Sequence, residues 1–396
     1  IYPPDAFGPL RKSGLHAFVD DYPEVKVVDI EVATVADMKT GNVKKLQDAL
    51  SSILSSDNVL GVVGPPITEC TRAILETVAE SGQNVPVFIE SAGAPSAIGW
   101  QEFGSSVPIF RISSGVDKRA SEMAWLIKDL LSANRRVQLL IEQNPGAGQR
   151  TYGEHVYEEI KRHIDSWSDD VNRGLIDAAY FPTADIDSRI AEIELMARSG
   201  AVIVLLGLGH HYKSVINSIY RRTDKDEGPQ SCLVSWMTAY STELEFRIGG
   251  YFRYELLFEI TDLNIIDAGP KPDLFGKFQT AFARPSPANR DQAFSFDAGY
   301  CLVDAYHDVA KHHFPDKPGY YPRIDEGARQ RVVEVLRSNL YRGITGDIRF
   351  GSNGQNNDGL LIFAQFDPIE NTWKATSPDR ILSRAQAVIH TPAKQP

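Results

Sequence analysis

Cysteine is scarce in this chain. Cys70, Cys232 and Cys301 stand far apart among 396 residues, without the close CxxC pairing of a structural zinc site. An odd count permits at most one internal bridge and leaves the redox compartment open. Long apolar runs are missing as well. No stretch approaches the roughly 20 residues that span a bilayer, and Ile1-Tyr2-Pro3-Pro4-Asp5 is no secretory signal. The sequence as given therefore reads as soluble, with no direct membrane insertion; a mature secreted protein and a cytoplasmic one share this appearance.

Positive charge is in deficit. Lys and Arg number 41 against 52 Asp and Glu, a net charge of −11, and no basic block concentrates the cations. Such a surface repels a phosphate backbone, which excludes nucleic acid as a partner. Signatures of catalysis are absent too: there is no GxSxG elbow, P-loop, HExxH pair or cysteine nucleophile motif. Leu206-Gly207-Leu208-Gly209 opens like a dinucleotide fingerprint, but Tyr212 stands where the third glycine belongs, and a tight turn explains both glycines. His210-His211 and His312-His313 are adjacent pairs, and neighbours on a helix point in different directions. No metal, no cofactor and no enzymatic activity are expected. A nucleotide-dependent α/β enzyme stays as the rival reading.

What is present is an alternation of β-branched runs and amphipathic helices. Val25–Val32 reads as a strand; Val43, Leu46, Leu50 and Ile53 mark one helix face; strands Val59–Val63 and Val85–Ile89 flank a helix at Ala73, Ile74 and Val78. This β-α-β-α-β order is that of a parallel sheet covered by helices. A second set follows. Met123, Ile127 and Leu130 precede strand Val137–Ile141; a helix with Val156, Ile160 and Ile164 precedes a strand ending at Tyr180-Phe181. A helix with Ile190, Ile193 and Ala197 ends at Gly200, strand Ala201–Leu206 follows, and a helix through Val215 and Ile219 leads to strand Cys232–Ser235. A chain of this length exceeds the usual single core, so two α/β lobes are expected.

The remainder holds one strand-like segment, Tyr251–Leu257, and helices marked by Phe275, Phe278 and Phe282, by Ala298, Leu302 and Val309, and by Val332 and Leu336. These are too few strands for a third sheet, so the helices should cover the first one and the chain should cross between lobes more than once. Exposed loops are expected at 224–230, 283–291 and 314–325. Near the end, Leu340–Phe350 reads as a helix end, a turn at Gly343 and Gly346 and a short strand; Asn353-Gly354 should return it into a strand at Leu360–Phe363.

Gly64-Pro65 after a strand, Val85–Gly93, Phe110-Arg111 with Asp117, Tyr152-Gly153, Lys277–Phe282, Phe296-Asp297-Ala298 to Tyr306, and Gly343–Phe350 follow one another in this order. Together they resemble the leucine/isoleucine/valine-binding protein family, the type I periplasmic-binding fold, over nearly the whole chain after about Gly14. The departure is at the front, where members open with an apolar strand and this chain has Ile1 to Pro9. The resemblance implies an α/β fold with two lobes, each a mainly parallel sheet flanked by helices, joined by several crossings. Lobe one would take 1–114 and 249–342, lobe two 115–248, and 343–396 would form a hinge strand and a C-terminal hairpin of lobe two.

By the same resemblance the chain would be an extracytoplasmic solute-binding protein, in the periplasm or at the cell surface. It would capture a small-molecule ligand of the amino acid, amide or aromatic acid class in an interlobe cleft by hinge closure near Ser113, Gly249 and Gly343. An ABC transporter permease would be its partner; a signalling partner, with the fold as a sensing module, is the alternative. Ligands of open parallel sheets sit beyond the carboxyl ends of the strands. Thr68 and the Ser91-Ala92-Gly93 run would hold the polar head on lobe one; alternatively Thr68 or Thr71 merely caps a helix. Many amino-acid binders carry a hydroxyl residue where Gly93 falls, which argues against an α-amino acid. On lobe two, Tyr152, Gly207 and Trp236 are the candidates. Tyr152 would close over the ligand or cap the apolar end of its helix, and Trp236 would give indole area or serve the core.

Overall fold

The computed structural model describes residues 7–30, 43–56, 58–64, 68–89, 99–113, 115–132, 134–143, 151–167, 173–182, 189, 191–192, 195, 201–207, 233–235, 256–258, 272–282, 290–317, 319–356, 362–367 and 372–376. In chain order the principal helices are α1 (Phe7–Val19), α2 (Val43–Leu54), α3 (Thr68–Ser81), α4 (Trp100–Phe103), α5 (Val116–Ser132), α6 (Tyr152–Asp165), α7 (Pro272–Phe282), α8 (Arg290–His313) and α9 (Glu326–Ser338). The strands are β1 (Val62–Val63), β2 (Val87–Ile89), β3 (Ile109–Arg111), β4 (Val137–Gln143), β5 (Ile176–Pro182), β6 (Val202–Leu206), β7 (Leu233–Ser235), β8 (Leu256–Phe258), β9 (Leu340–Gly343), β10 (Gly346–Arg349), β11 (Ile362–Asp367) and β12 (Thr372–Thr376). Two compact units share them. Ile1–Gly115 with Thr261–Leu360 makes the first, and Val116–Ile260 with Leu361–Pro396 the second.

In the first unit β1, β2 and β3 form a parallel sheet in that order, with Val62 opposite Val87 and Ile89 opposite Arg111. Successive strand side chains point to opposite faces, so these short strands feed two cores. Val62, Val87, Ile89 and Ile109 pack with Leu46 and Leu50 of α2 and Ile74 and Val78 of α3. Phe88 and Phe110 turn the other way, toward Phe18 of α1, Phe296 of α8 and Val332 of α9. Their rings stack 5.4 Å apart, and Phe350 meets both edge-on. Apolar residues on both faces are the mark of a parallel sheet buried between helix layers.

The free side of β3 is closed by the turn that follows β10. The Arg111 amide donates to the Gly354 carbonyl at 2.9 Å, and the Asn356 side-chain amide donates to the Ile112 carbonyl at 2.8 Å. Gly354 sits at φ +75°, and a Cβ there would lie 1.7 Å from the Ile109 carbonyl oxygen, so only glycine permits this approach.

Two expected elements differ. Val25–Ile30, the described part of the expected strand Val25–Val32, joins no strand, because a β-branched run becomes a strand only where a neighbouring edge pairs with it. The terminal hairpin also forms elsewhere: β9 pairs with β10, Tyr341 opposite Ile348, and the turn between them is Ile344-Thr345. Asp297 draws it in, its carboxylate accepting hydrogen bonds from both turn amides. Asn353-Gly354 then closes only the single bridge between Phe350 and Asn356.

The second unit carries a parallel sheet in the order β5-β4-β6-β7, with Leu139 between Ala178 and Val204 and with Leu205 opposite Ser235. Met123, Ile127 and Leu130 of α5 and Val156 and Ile160 of α6 bury one face against Leu139, Ile141, Val204 and Leu206. A smaller antiparallel sheet, β12-β11-β8, sets Phe366 opposite Trp373 and Phe363 opposite Leu257. Both β8 and β11 belong to the second unit. The expected helical faces at Ile190, Ile193 and Ala197 and at Val215 and Ile219 lie outside the described residues, as do Cys232 and loops 224–230 and 283–289.

Candidate functional site

Parallel strands end on one edge, and each unit therefore gathers several chain exits at its carboxyl edge. In the first sheet the register sets Gly64, the end of β2 and Arg111 side by side, with the Gly64 amide donating to the Phe88 carbonyl at 3.0 Å. Gly64 takes φ +92°, a left-handed conformation that favours glycine and turns the chain off the sheet. Thr68 is the first helical residue of α3 beyond that exit; Thr71, one turn in, is fully buried. Thr68 thus opens a helix N-terminus, where backbone N–H groups are without intrahelical acceptors and the dipole favours an anion. Ser91, Ala92 and Gly93 follow β2 directly and lie outside the described residues. At the end of β3, Arg111 is 2 % exposed, and its guanidinium lies 4.8 Å from the Trp100 ring centroid. The Trp100 indole N–H donates to the Asn353 carbonyl at 2.9 Å, which holds the ring over the arginine.

In the second unit the start of α6 is pressed onto the ends of β4 and β6. Thr151 and Glu154 form a capping box: the Glu154 amide donates to Thr151 Oγ1 at 3.2 Å, and the Thr151 amide donates to the Glu154 carboxylate at 2.7 Å. Thr151 Oγ1 also contacts the Glu142 carbonyl at 2.5 Å, and Gln143 Nε2 donates to Glu154 at 3.3 Å. Gly153 completes the joint. A Cβ there would stand 2.4 Å from the Leu206 carbonyl and 3.0 Å from Glu142 Cβ.

This joint sets the backbone of Gly153, next to Tyr152, against the ends of β4 and β6; Gly207 follows β6 and is buried. Glu142, 3 % exposed, is a buried carboxylate on the same edge. Ser235 ends β7 in register with Leu205, so Trp236 follows an exit on this edge as well; Trp236 itself, like the Tyr152 side chain, is outside the described residues.

Three groups at these edges escaped the sequence reading. Thr151 was legible, since Thr-x-x-Glu before an apolar helical face is the capping-box pattern. Arg111 served there only as a landmark, and burial of Glu142 has no local signature. Among the described residues no group of three or more His, Cys, Asp or Glu is arranged to hold a metal ion. His312 is exposed and turned toward Asp308 of its own helix. Of the dinucleotide-like run only Leu206 and Gly207 are described.

No protein-family model and no curated protein sequence matches the chain. Solved structures do. A leucine-binding protein from Thermotoga maritima superposes with a TM-score of 0.63 at 13% identity, covering 94% of each chain. An ABC transporter solute-binding protein from R. palustris, in complex with benzoate, gives 0.62 at 14% identity over 94% of this chain and 91% of that one. A branched-chain amino acid transporter substrate-binding protein from Streptococcus pneumoniae, in complex with isoleucine, gives 0.60 at 14% identity over 94% and 95%. The chain has the type I periplasmic-binding fold shared by these leucine- and branched-chain amino acid-binding proteins, α/β with parallel sheets flanked by helices.

Proposed function

We propose that the chain is an extracytoplasmic solute-binding protein that captures a small polar molecule of the amino acid, amide or aromatic acid class and delivers it to an ABC importer. The observation that carries this reading is the likeness, over 94% of the chain, to solute-binding proteins holding isoleucine and benzoate. Both of those ligands are carboxylates on an apolar body. The local chemistry here supports a ligand of that kind. Helix α3 begins at the carboxyl edge of a parallel sheet, where backbone N–H groups and the helix dipole favour a carboxylate. Thr68 with Ser91, Ala92 and Gly93 would hold the polar head, and Tyr152, Gly207 and Trp236 would border the apolar body. Gly93 offers no hydroxyl, which favours an amide or aromatic acid over an α-amino acid. No bond is made or broken in this role. Capture would be coupled to hinge motion at the chain crossings and read by a permease.

Thermal-shift screening against amino acids, amides and aromatic acids tests the proposal, because a ligand that binds the folded form raises its melting temperature. A selective rise with one chemical class is expected. No rise with any of them, together with turnover of a metabolite by the purified protein, would overturn it.

A further inference from the structure

Helix α5 buries one face through Met123, Ile127 and Leu130, and its opposite face carries a second pattern. Ser121, Glu122, Trp125, Lys128 and Asp129, with Lys118 and Ser132 at either end, recur at the three- and four-residue spacing that aligns side chains along a helix. None of them is buried. Trp125, at the centre, is 57 % exposed, although a ring of this size gains much by leaving water. The Lys128 ammonium lies 5.1 Å from its ring centroid, a cation–π contact on the same face. Among the described residues neither Glu122 nor Asp129 forms an ion pair.

The order of these residues is complementary to itself. When two copies of α5 pack antiparallel about a two-fold axis at Trp125, residues equally far before and after Trp125 face each other, as an isologous contact requires. Glu122 of each copy then meets Lys128 of the other. Ser121 meets Asp129, a hydroxyl beside a carboxylate, and Lys118 meets Ser132, whose hydroxyl already donates to the Lys128 carbonyl at 2.9 Å. Trp125 meets its own copy, where the two rings can stack with an offset. No position along the face sets like charges against each other.

We propose that this face of α5 docks a second copy of the chain, forming a two-fold dimer with the Trp125 pair on the axis. Trp125 supplies the apolar anchor, and tryptophan is among the residues that dominate interface energy. The Glu122 and Lys128 pairs stand at the rim and fix the register and the antiparallel direction. Size sets the strength. From Lys118 to Ser132 the face is ~21 Å long at ~1.5 Å per residue, and one helix pair of that length buries less than the ~1,200 Å² of a standard stable interface. The dimer is therefore weak, half formed at on the order of 0.1 mM chain.

Sedimentation equilibrium of the full chain between ~10 µM and ~0.5 mM should show a reversible monomer–dimer step and nothing larger, because an isologous contact closes at two copies. Trp125→Ala should weaken it at least tenfold, about the loss of one interface anchor. Its melting temperature should stay within about 2 °C of the wild type, since the ring stands outside the core. Glu122→Lys and Lys128→Glu each set like charges face to face at two symmetric places and should weaken dimerisation about tenfold. Combining them exchanges the charges, keeps the net charge and should restore dimerisation to within about threefold. If Trp125→Ala does not fold, the charge exchange decides alone. A monomer throughout this range, a dimer indifferent to Trp125→Ala, or a double variant no tighter than the single ones would overturn the proposal.

Discussion

Replacing Asp297 with alanine removes three hydrogen-bond acceptances at one fully buried point of α8. Its carboxylate accepts from the Ile344 amide at 2.8 Å, the Thr345 amide at 2.7 Å and Thr345 Oγ1 at 2.6 Å. Gly343 is so close that a Cβ there would lie 2.5 Å from Oδ2, leaving no room for another side chain to take over. In the alanine variant two backbone donors are left in the interior, at ~1–3 kcal/mol each. A loss of ~3–5 kcal/mol in the first unit is expected, reduced if water enters the space. Asp297→Asn retains one acceptor and should lose less. Two units need not unfold in one transition, so the assay is urea denaturation combined with amide exchange at Ile344 and Thr345. A loss below ~1 kcal/mol with both amides still protected would refute the reasoning.

The same carboxyl gives a pH dependence. Burial pushes its pKa up to about 7, against the downward pull of its three donors, from 3.8 for the free side chain. The folded value lies above the unfolded one, so this contribution is complete below about pH 4 and is lost as pH rises through about 7. The wild type should therefore lose stability between about pH 4 and pH 7 more steeply than Asp297→Asn. Parallel profiles would contradict the assignment.

Gly354→Ala should destabilise the first unit by more than ~2 kcal/mol through its clash with Ile109 and its left-handed φ, whereas Gly276→Ala, with open space around it in α7, should stabilise by ~0.5–1 kcal/mol; urea midpoints compare the two. Thr151→Ala removes the capping box of α6 and should cost ~1 kcal/mol in the second unit, with faster exchange of the Glu154 amide. Tyr152→Ala and Trp236→Ala should weaken ligand binding while leaving the melting temperature of the ligand-free protein nearly unchanged; calorimetric titration measures this, and unchanged affinity in both would remove them from the site.

Local periodicity made most of the framework legible. The faces at Leu46 and Leu50, at Met123, Ile127 and Leu130, and at Val332 and Leu336 are helix-spaced and buried as that spacing requires. The strand expected at Ala201–Leu206, rich in β-branched residues and bounded by Gly200 and Gly207, forms as Val202–Leu206. Where the reading diverged, the deciding partner was far away in sequence. Val25–Ile30 has every local mark of a strand, but pairing depends on which edge stands beside it. The turn at Ile344-Thr345 is drawn in by Asp297, 47 residues earlier, and nothing in Leu340–Phe350 reveals that acceptor. The candidate edges were found through strand order and glycine exits, whereas buried Arg111 and Glu142 are defined by packing that only the fold supplies.

Equilibrium dialysis of the purified protein against the solute selected by thermal shift, with the recovered solute analysed by mass spectrometry, tests the central claim most directly. Saturable uptake close to one molecule per chain, with the solute recovered chemically unchanged, is the predicted result. Conversion of the solute, or uptake that does not saturate, would contradict it.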